Sequence, residues 1–442
     1  MSIKVSRILH AGYIFENKNT KIVFDPIFEN PFSRNCYAFP PIRFDIEELK
    51  KLKFDTIFIS HFHDDHCSLE SLNLINRATP IHIYCLHDEI PQLIRKLGFK
   101  TVHQLKLNQS IPIGNFTITP RRALDAEVDC LFQIQVEEHN ILNVVDSWID
   151  WETLDLLKNE KPWNLILWPF QTMRELEVLA PHRHGFAEPE IPEEWLEQLQ
   201  SLNPKVVVPS SCQFLQEPWS WYNSAFFPIS YKFFESEIKK ILPLTNVVRL
   251  NPGQTVHMAQ LQIDFVKSLP WIIPMGDQNV DYIYNTDLKI PLTVEIAKHF
   301  PGLNPDEKNK VDHFLLDEIL QTYSSLDEIE SDYFSKPRKW ELRIFSADGH
   351  QKKYFYEILN GRLKIVSDDP LQPIGWLTEI AESKIFSALT DGESLTSLYV
   401  RVNDFEFTAD VDATMDPLIR CLFNKNPDSY QKAQLIRLLR TN

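Results

Sequence analysis

The chain has 442 residues, 43% of them hydrophobic and 24% charged, which is ordinary for a globular protein and long enough for two domains. A net charge of −16 and a pI near 5.4 exclude broad nucleic-acid binding, which needs clustered Lys and Arg, though they leave room for a local pocket holding one phosphate group. Six scattered cysteines form no disulfide framework and imply reduced thiols in a cytoplasm, and no window approaches about 18 consecutive apolar residues, so no spanning helix is expected.

Taken in chain order, "MSIKVSRILHAGYIFENKN" has no apolar run or cleavage site of a signal peptide and reads as a strand entering the fold. Lys21 to Phe28 read as a strand leaving into a turn at Asp25-Pro26, and Phe54 to Ser60 as an apolar strand buried on both faces. Cys67 to Ala78 have helical spacing, with Leu69, Leu72 and Ile75 on one side. "NFTITPRR" and "CLFQIQVEEHNILNVVD" read as strands, the second with a hairpin near Glu138 to Asn140. "WNLILWPF" and "PKVVVPSS" are two more buried strands, separated by a helix around Glu193 to Leu202. The aromatic-rich stretch 214–234 is either a packed satellite core or an apolar wall beside a pocket. Leu250 to Val256 reads as a turn closing the first domain, and the character changes near 270–285 to alternating runs mixed with helices. The order of elements predicts an α/β fold, a layered core over residues 1–275 followed by a smaller α+β domain over 276–442.

The densest chemistry lies in "SHFHDDH". Of 14 histidines, three fall between His61 and His66, straight after a buried strand. In extended backbone, residues i and i+2 point the same way, so His61 and His63 can reach one ion. Asp65 and His66, at the turn into the next helix, can face a second. Neutral imidazole with hard carboxylate suits zinc or iron, and also manganese. Asp64 is read as a solvated loop residue.

This motif resembles the signature of the metallo-β-lactamase superfamily. The order of "HAGYIF", "VFDP", "SHFHDDH" and "ILNVVDS" agrees with it. The resemblance implies an αββα sandwich and a dinuclear metal centre bridged by Asp146, with Asp25 supporting a ligand histidine; taken alone, Asp146 is a strand-end turn residue. Asp125 to Ser147, "LNPGQTV" and the C-terminal "ALTDGESLTSLYVRVND" are similar to the cytidine-monophosphate-N-acetylneuraminate hydroxylase group. Members of that group that hydroxylate a sugar nucleotide carry a Rieske centre, which needs Cys-x-His and Cys-x-x-His pairs. This chain has the single pair Cys85-Leu86-His87 and no Cys-x-x-His, so no Rieske centre is expected.

Two departures from the superfamily pattern bear on the site. Where the pattern has its third histidine for the first metal, this chain has Asp125, with Asp129 nearby, which hardens the expected donor set. Its late histidine is absent from "VVVPSSCQF", so His184 or His182 either completes the site from its loop, binds an anionic substrate with Arg183, or lies exposed. His10 either lines the pocket or is structural. The expected metal ligands are therefore His61, His63, Asp65, His66, Asp146, Asp125 and His184, with Asp65 as a candidate proton acceptor.

Three functions compete. The first is a hydrolase that turns a metal-bound hydroxide on an ester, lactone, amide or phosphodiester, including that of a sugar nucleotide or other anionic metabolite. The second is a diiron oxygenase fed by an external reductase. The third is a non-catalytic binding protein on a decayed enzyme fold. The expected partners are a small anionic substrate and a second copy of the chain, with neither nucleic acid nor a membrane span.

Overall fold

The computed structural model describes residues 3–440 apart from 161, 172–173, 187, 260–261, 266–268, 327–331, 406–412 and 424–428. Two large sheets lie at its centre. The first orders its eight strands Gln262–Phe265, Thr255–Ala259, Ile3–Arg7, Tyr13–Asn17, Thr20–Phe24, Thr56–Ile59, Ile81–Ile83 and Val102–Gln104. It is antiparallel as far as Thr20–Phe24 and parallel beyond. The second orders its seven strands Asn246–Val247, Val206–Ser210, Leu165–Pro169, His139–Asn143, Cys130–Val136, Phe116–Arg122 and Ile111–Ile113.

Strand alternation builds the layers. Phe15, Ile22, Phe24 and Phe58 from the first sheet share one apolar core with Phe132, Ile134, Leu165 and Val208 from the second. The next residues along the same strands face outward. Val23, Ile57 and Ile59 pack on the helices Leu69–Leu72 and Glu89–Lys96, and Ile166 and Val207 pack on Trp151–Lys158, Glu193–Leu202 and Tyr231–Ile241. The expected αββα sandwich is present, and the strands Leu165–Pro169 and Val206–Ser210 are buried at every position.

One local expectation changes. The helix read over Cys67 to Ala78 is a single turn, Leu69–Leu72, capped by Ser68. Leu74 and Ile75 continue with i→i+3 bonds, and the Arg77 guanidinium takes the carbonyls of Leu72 and Ile75, so apolar spacing is met by tight turns. "LNPGQTV" leads into two further strands of the first sheet. Its turn delivers Thr255–Ala259, which pairs with Ile3–Arg7 inside the first sheet.

A five-stranded sheet, Arg362–Ile365, Gln351–Leu359, Arg338–Phe345, Ile374–Ala381 and Arg401–Val402, carries its own core of Trp340, Tyr356, Trp376 and Leu418. The chain passes between the two cores more than once, since Tyr282, Ile296, Tyr399 and Leu435 all pack in the core of the sandwich. The C-terminal helix Ser429–Arg440 returns to lie on Leu69–Leu72 and Glu89–Lys96. Among the described residues no helix is long and apolar enough to cross a membrane.

Candidate metal centre

The strands Ile3–Arg7, Thr20–Phe24, Thr56–Ile59, His139–Asn143 and Val206–Ser210 all end at one edge of the sandwich, and the residues just past them meet there. Several hold left-handed backbone without being glycine: His10 (φ 52°), Asp25 (41°), Val145 (64°), Ser211 (46°) and Cys212 (42°). For β-branched Val145 this is costly, and such strain gathers at functional sites. Packing is close enough to demand glycine at position 12, where a Cβ would lie 2.8 Å from the Asp25 carbonyl oxygen and 2.9 Å from that of Leu9.

Two groups of donor atoms result: His10, Asp65, His66 and Asp146, and His61, His63 and Asp65. In the first, His66 Nε2 lies 2.9 Å from Asp146 Oδ2 and 3.6 Å from Asp65 Oδ1. His10 Nε2 lies 3.1 Å from His66 Nε2, 3.2 Å from Asp65 Oδ2 and 3.7 Å from Asp146 Oδ2. In the second, His61 Nε2 lies 3.1 Å from His63 Nδ1. A tetrahedral ion with bonds of about 2.0–2.1 Å holds its donors about 3.3 Å apart, so these spacings fit. His10, His61 and His66 are each 1% exposed, whereas His63 is exposed and the Asp65 and Asp146 side chains keep 23% and 22%, so the centre opens on one side.

Asp25 orders the ligands from behind. It accepts from Ser60 N (2.7 Å), Ser60 Oγ (2.7 Å) and His66 Nδ1 (3.1 Å), and Ser60 Oγ in turn accepts from His61 Nδ1 (3.0 Å). This sets the inward lone pairs of both rings.

Among the described residues no lysine or arginine pairs with Asp65 or Asp146. Burial works against His66 carrying a proton, but Asp146 and Asp65 outweigh it and hold His66 well above the usual imidazole range. Burial likewise lifts Asp65 and Asp146, and His66 overcomes it to hold both low. Asp64 is pushed up to about 7 by burial and by Asp65's charge, and Asp129 up to about 7 by burial and by Asp146's charge. One oxygen of each of Asp64, Asp129 and Asp146 is buried without a hydrogen-bond partner. No other carboxylate among the described residues has such an oxygen. Buried acids left open in this way fit a divalent cation.

The sequence reading changes at four positions. Asp125 is exposed and outside both donor groups; its backbone carbonyl closes the turn to Val128 and Asp129, and its charge is felt at His63. His184 is exposed and also outside them. Its loop is tied to the C-terminal region, where the His182 amide and Nδ1 meet the Asp404 carboxylate at 2.7 and 2.5 Å. Asp64, read as solvated, has a buried oxygen. His10, left open between pocket and scaffold, stands in the centre. Its isolation in the sequence hid it, and "HAG" beside a strand end was the one available signal. Phe214 of the aromatic stretch packs against His10 with ring centres 5.7 Å apart, while Trp221, Tyr222 and Phe234 are core.

The C-terminal helix also reaches the metal loop. Gln431 Nε2 donates to the carbonyls of Phe62 (2.8 Å) and Cys67 (3.0 Å). Gln434 accepts from Leu69 N (2.8 Å) and donates to Ser68 Oγ (2.9 Å), and Arg437 holds Glu70 (2.8 Å).

No family model matches the chain, and no curated protein does. Solved structures do. A metallo hydrolase from the archaeon Ignicoccus hospitalis is 18% identical, over 59% of this chain and 99% of its own, with a TM-score of 0.41. A metallo-β-lactamase fold protein from Bacillus subtilis is 14% identical, over 58% and 100%, with a TM-score of 0.39. A diiron β-hydroxylase from Streptomyces venezuelae is 13% identical, over 58% and 54%, with a TM-score of 0.40.

Proposed function

We propose that the chain is a metal-dependent hydrolase of the metallo-β-lactamase superfamily, acting on an ester, lactone, amide or phosphodiester of an anionic metabolite. The observation that carries this reading is the convergence of His61, His63 and His66 on the Asp65 and Asp146 carboxylates, with Asp146 keeping one buried oxygen without a hydrogen-bond partner. His61 Nε2, His63 Nδ1, Asp65, His66 Nε2 and Asp146 would hold the ions. Metal bound there supplies Lewis-acid charge to a substrate oxygen and lowers the pKa of a water. The protein's own part is orientation and proton handling. Asp25 fixes two of the rings through Ser60 and directly. Asp65, held low, makes a better ligand than proton acceptor, whereas Asp129 carries or releases a proton near neutral pH.

A diiron oxygenase is the second reading. It is favoured by the acid-rich donor set, since among the described residues Asp65, not a third imidazole, joins His61 and His63, and Asp129 with a partnerless oxygen is close enough to feel the charges of Asp146 and His66. Elemental analysis of protein purified without a metal-affinity tag tests both. About two zinc ions per chain, lost in His61→Ala/His63→Ala, support the hydrolase. Iron, with oxygen uptake that needs a reductant, supports the oxygenase. No metal in either protein overturns both.

A further inference from the structure

His10 lies as close to the centre as any ligand does, and distance alone does not separate a ligand from a hydrogen-bond donor. The proton on its ring does. We infer that His10 is not a ligand but a positioning residue, which donates through Nε2–H to the Asp65 carboxylate and fixes how Asp65 presents its oxygens. This inference rests on the metal-centre reading above.

A neutral imidazole has one N–H and one lone pair. The Cys212 backbone amide can only donate, and it points at His10 Nδ1 from 3.0 Å. Nδ1 therefore holds the lone pair, and the proton sits on Nε2, facing inward. A ligand would need the opposite arrangement, with two hydrogens set against each other at Nδ1 and a peptide N–H left unpaired. His61 and His66 show that opposite arrangement, since the outer Nδ1 of each faces an acceptor, Ser60 Oγ or Asp25 Oδ2. Ser60 Oγ has committed its own proton to Asp25 and can only accept from His61.

The surroundings hold His10 in this state. Ser211 and Cys212 both take left-handed backbone, which turns the Cys212 amide inward. Arg7 Nη2 donates to the His10 carbonyl (2.7 Å), so the residue is fixed at main chain and ring alike. Phe32 and Phe214 close over the ring, with centres 5.6 and 5.7 Å away. Nε2–H then faces His66 Nε2 at 3.1 Å and Asp65 Oδ2 at 3.2 Å; with the His66 lone pair given to an ion, Asp65 Oδ2 is the nearer acceptor left, and Oδ1 is the Asp65 oxygen that approaches His66 Nε2, at 3.6 Å. His10 thus faces one oxygen of Asp65 and leaves the other toward the His66 side, where it would be available to an ion.

The test is a Zn²⁺ and Co²⁺ titration of metal-free wild type, His10→Ala, His10→Gln and His66→Ala, with the cobalt absorption spectrum recorded. His10→Ala takes up as many equivalents as wild type, about tenfold to a hundredfold more weakly, with an altered spectrum. His10→Gln, which keeps an N–H, recovers affinity and spectrum. His66→Ala loses an equivalent. Loss of an equivalent in His10→Ala, matching His66→Ala, overturns the inference. A second measurement needs no metal: imidazole ¹⁵N–¹H correlation spectra of histidine-labelled, metal-free protein. Nε2–H at His10 with Nδ1–H at His61 is the expected pattern, and Nδ1–H at His10 overturns the inference. A wild type that binds no metal yet shows Nε2–H at His10 sinks the metal-centre reading and leaves the tautomer standing.

Discussion

Asp416 in the C-terminal region and Asp146 at the sandwich edge each turn carboxylate oxygen into the interior, and their surroundings treat them in opposite ways. Asp416 is fully buried and closed on both oxygens: Thr378 Oγ1 and Trp376 Nε1 (2.7 Å) donate to Oδ2, and the amides of Leu418 (2.9 Å) and Ile419 (3.1 Å) to Oδ1. Burial raises its pKa, yet every acceptor is satisfied. Glu341 nearby is met by Arg343 (2.7 Å) and Lys353 (2.8 Å). At the sandwich edge Asp64, Asp129 and Asp146 each keep an oxygen open, and among the described residues only imidazoles come within ion-pair distance of Asp65 and Asp146. A closed buried acid builds structure. An open one holds energy that a bound cation can release.

The comparison can be broken most directly at Asp416. Asp416→Ala strands four donors and should cost roughly 3 kcal/mol in thermal or denaturant unfolding, whether or not metal is present. A smaller loss than that of any open acid would end the distinction. Next in size is metal removal. With free metal a hundredfold above its dissociation constant, chelation should cost about 2.7 kcal/mol in wild type and nothing in His61→Ala/His63→Ala, read as a shift in melting temperature.

Asp129 sharpens the contrast through pH. Its folded pKa, about 7, stands above that of an unfolded aspartate, so the folded state binds the extra proton and this group lowers stability as pH rises from about 4 to 7. Asp129→Asn should therefore stabilise metal-free protein by roughly 1–2 kcal/mol at pH 8 and leave it unchanged at pH 4. A loss at pH 8 would show the open acid to be structural. Gln431→Ala, which removes two bonds to the metal loop, should cost about 1 kcal/mol and weaken metal binding about tenfold. Unchanged affinity would uncouple the C-terminal helix from the centre. At the small end, Asp125→Asn and His184→Ala should leave metal content as in wild type, because both side chains are exposed and outside the donor groups.

Much of the site was legible because it is local. His61, His63, Asp65 and His66 lie within six positions behind a buried apolar strand; period-2 geometry pairs His61 with His63, and the turn that follows adds Asp65 and His66. Asp25 and Asp146 were readable from resemblance, as strand-end aspartates in the expected order. Asp125 and His184 were read in because something had to fill two gaps, and chain order offered them. Both are exposed and outside the two donor groups, and the His182 amide beside His184 is tied to Asp404.

By itself, the sequence determined the layered α/β core, the histidine- and aspartate-rich loop and the acidic character of its surroundings, since alternation, spacing and composition are properties of neighbouring residues. Only the tertiary structure decided the rest. It put His10 against Asp65 across 55 positions and set its proton by an amide 202 positions away. It brought Gln431 back to Phe62 across 369 positions. Such contacts depend on which strands pair and where the chain returns, and an isolated histidine or glutamine leaves no periodic trace of that choice.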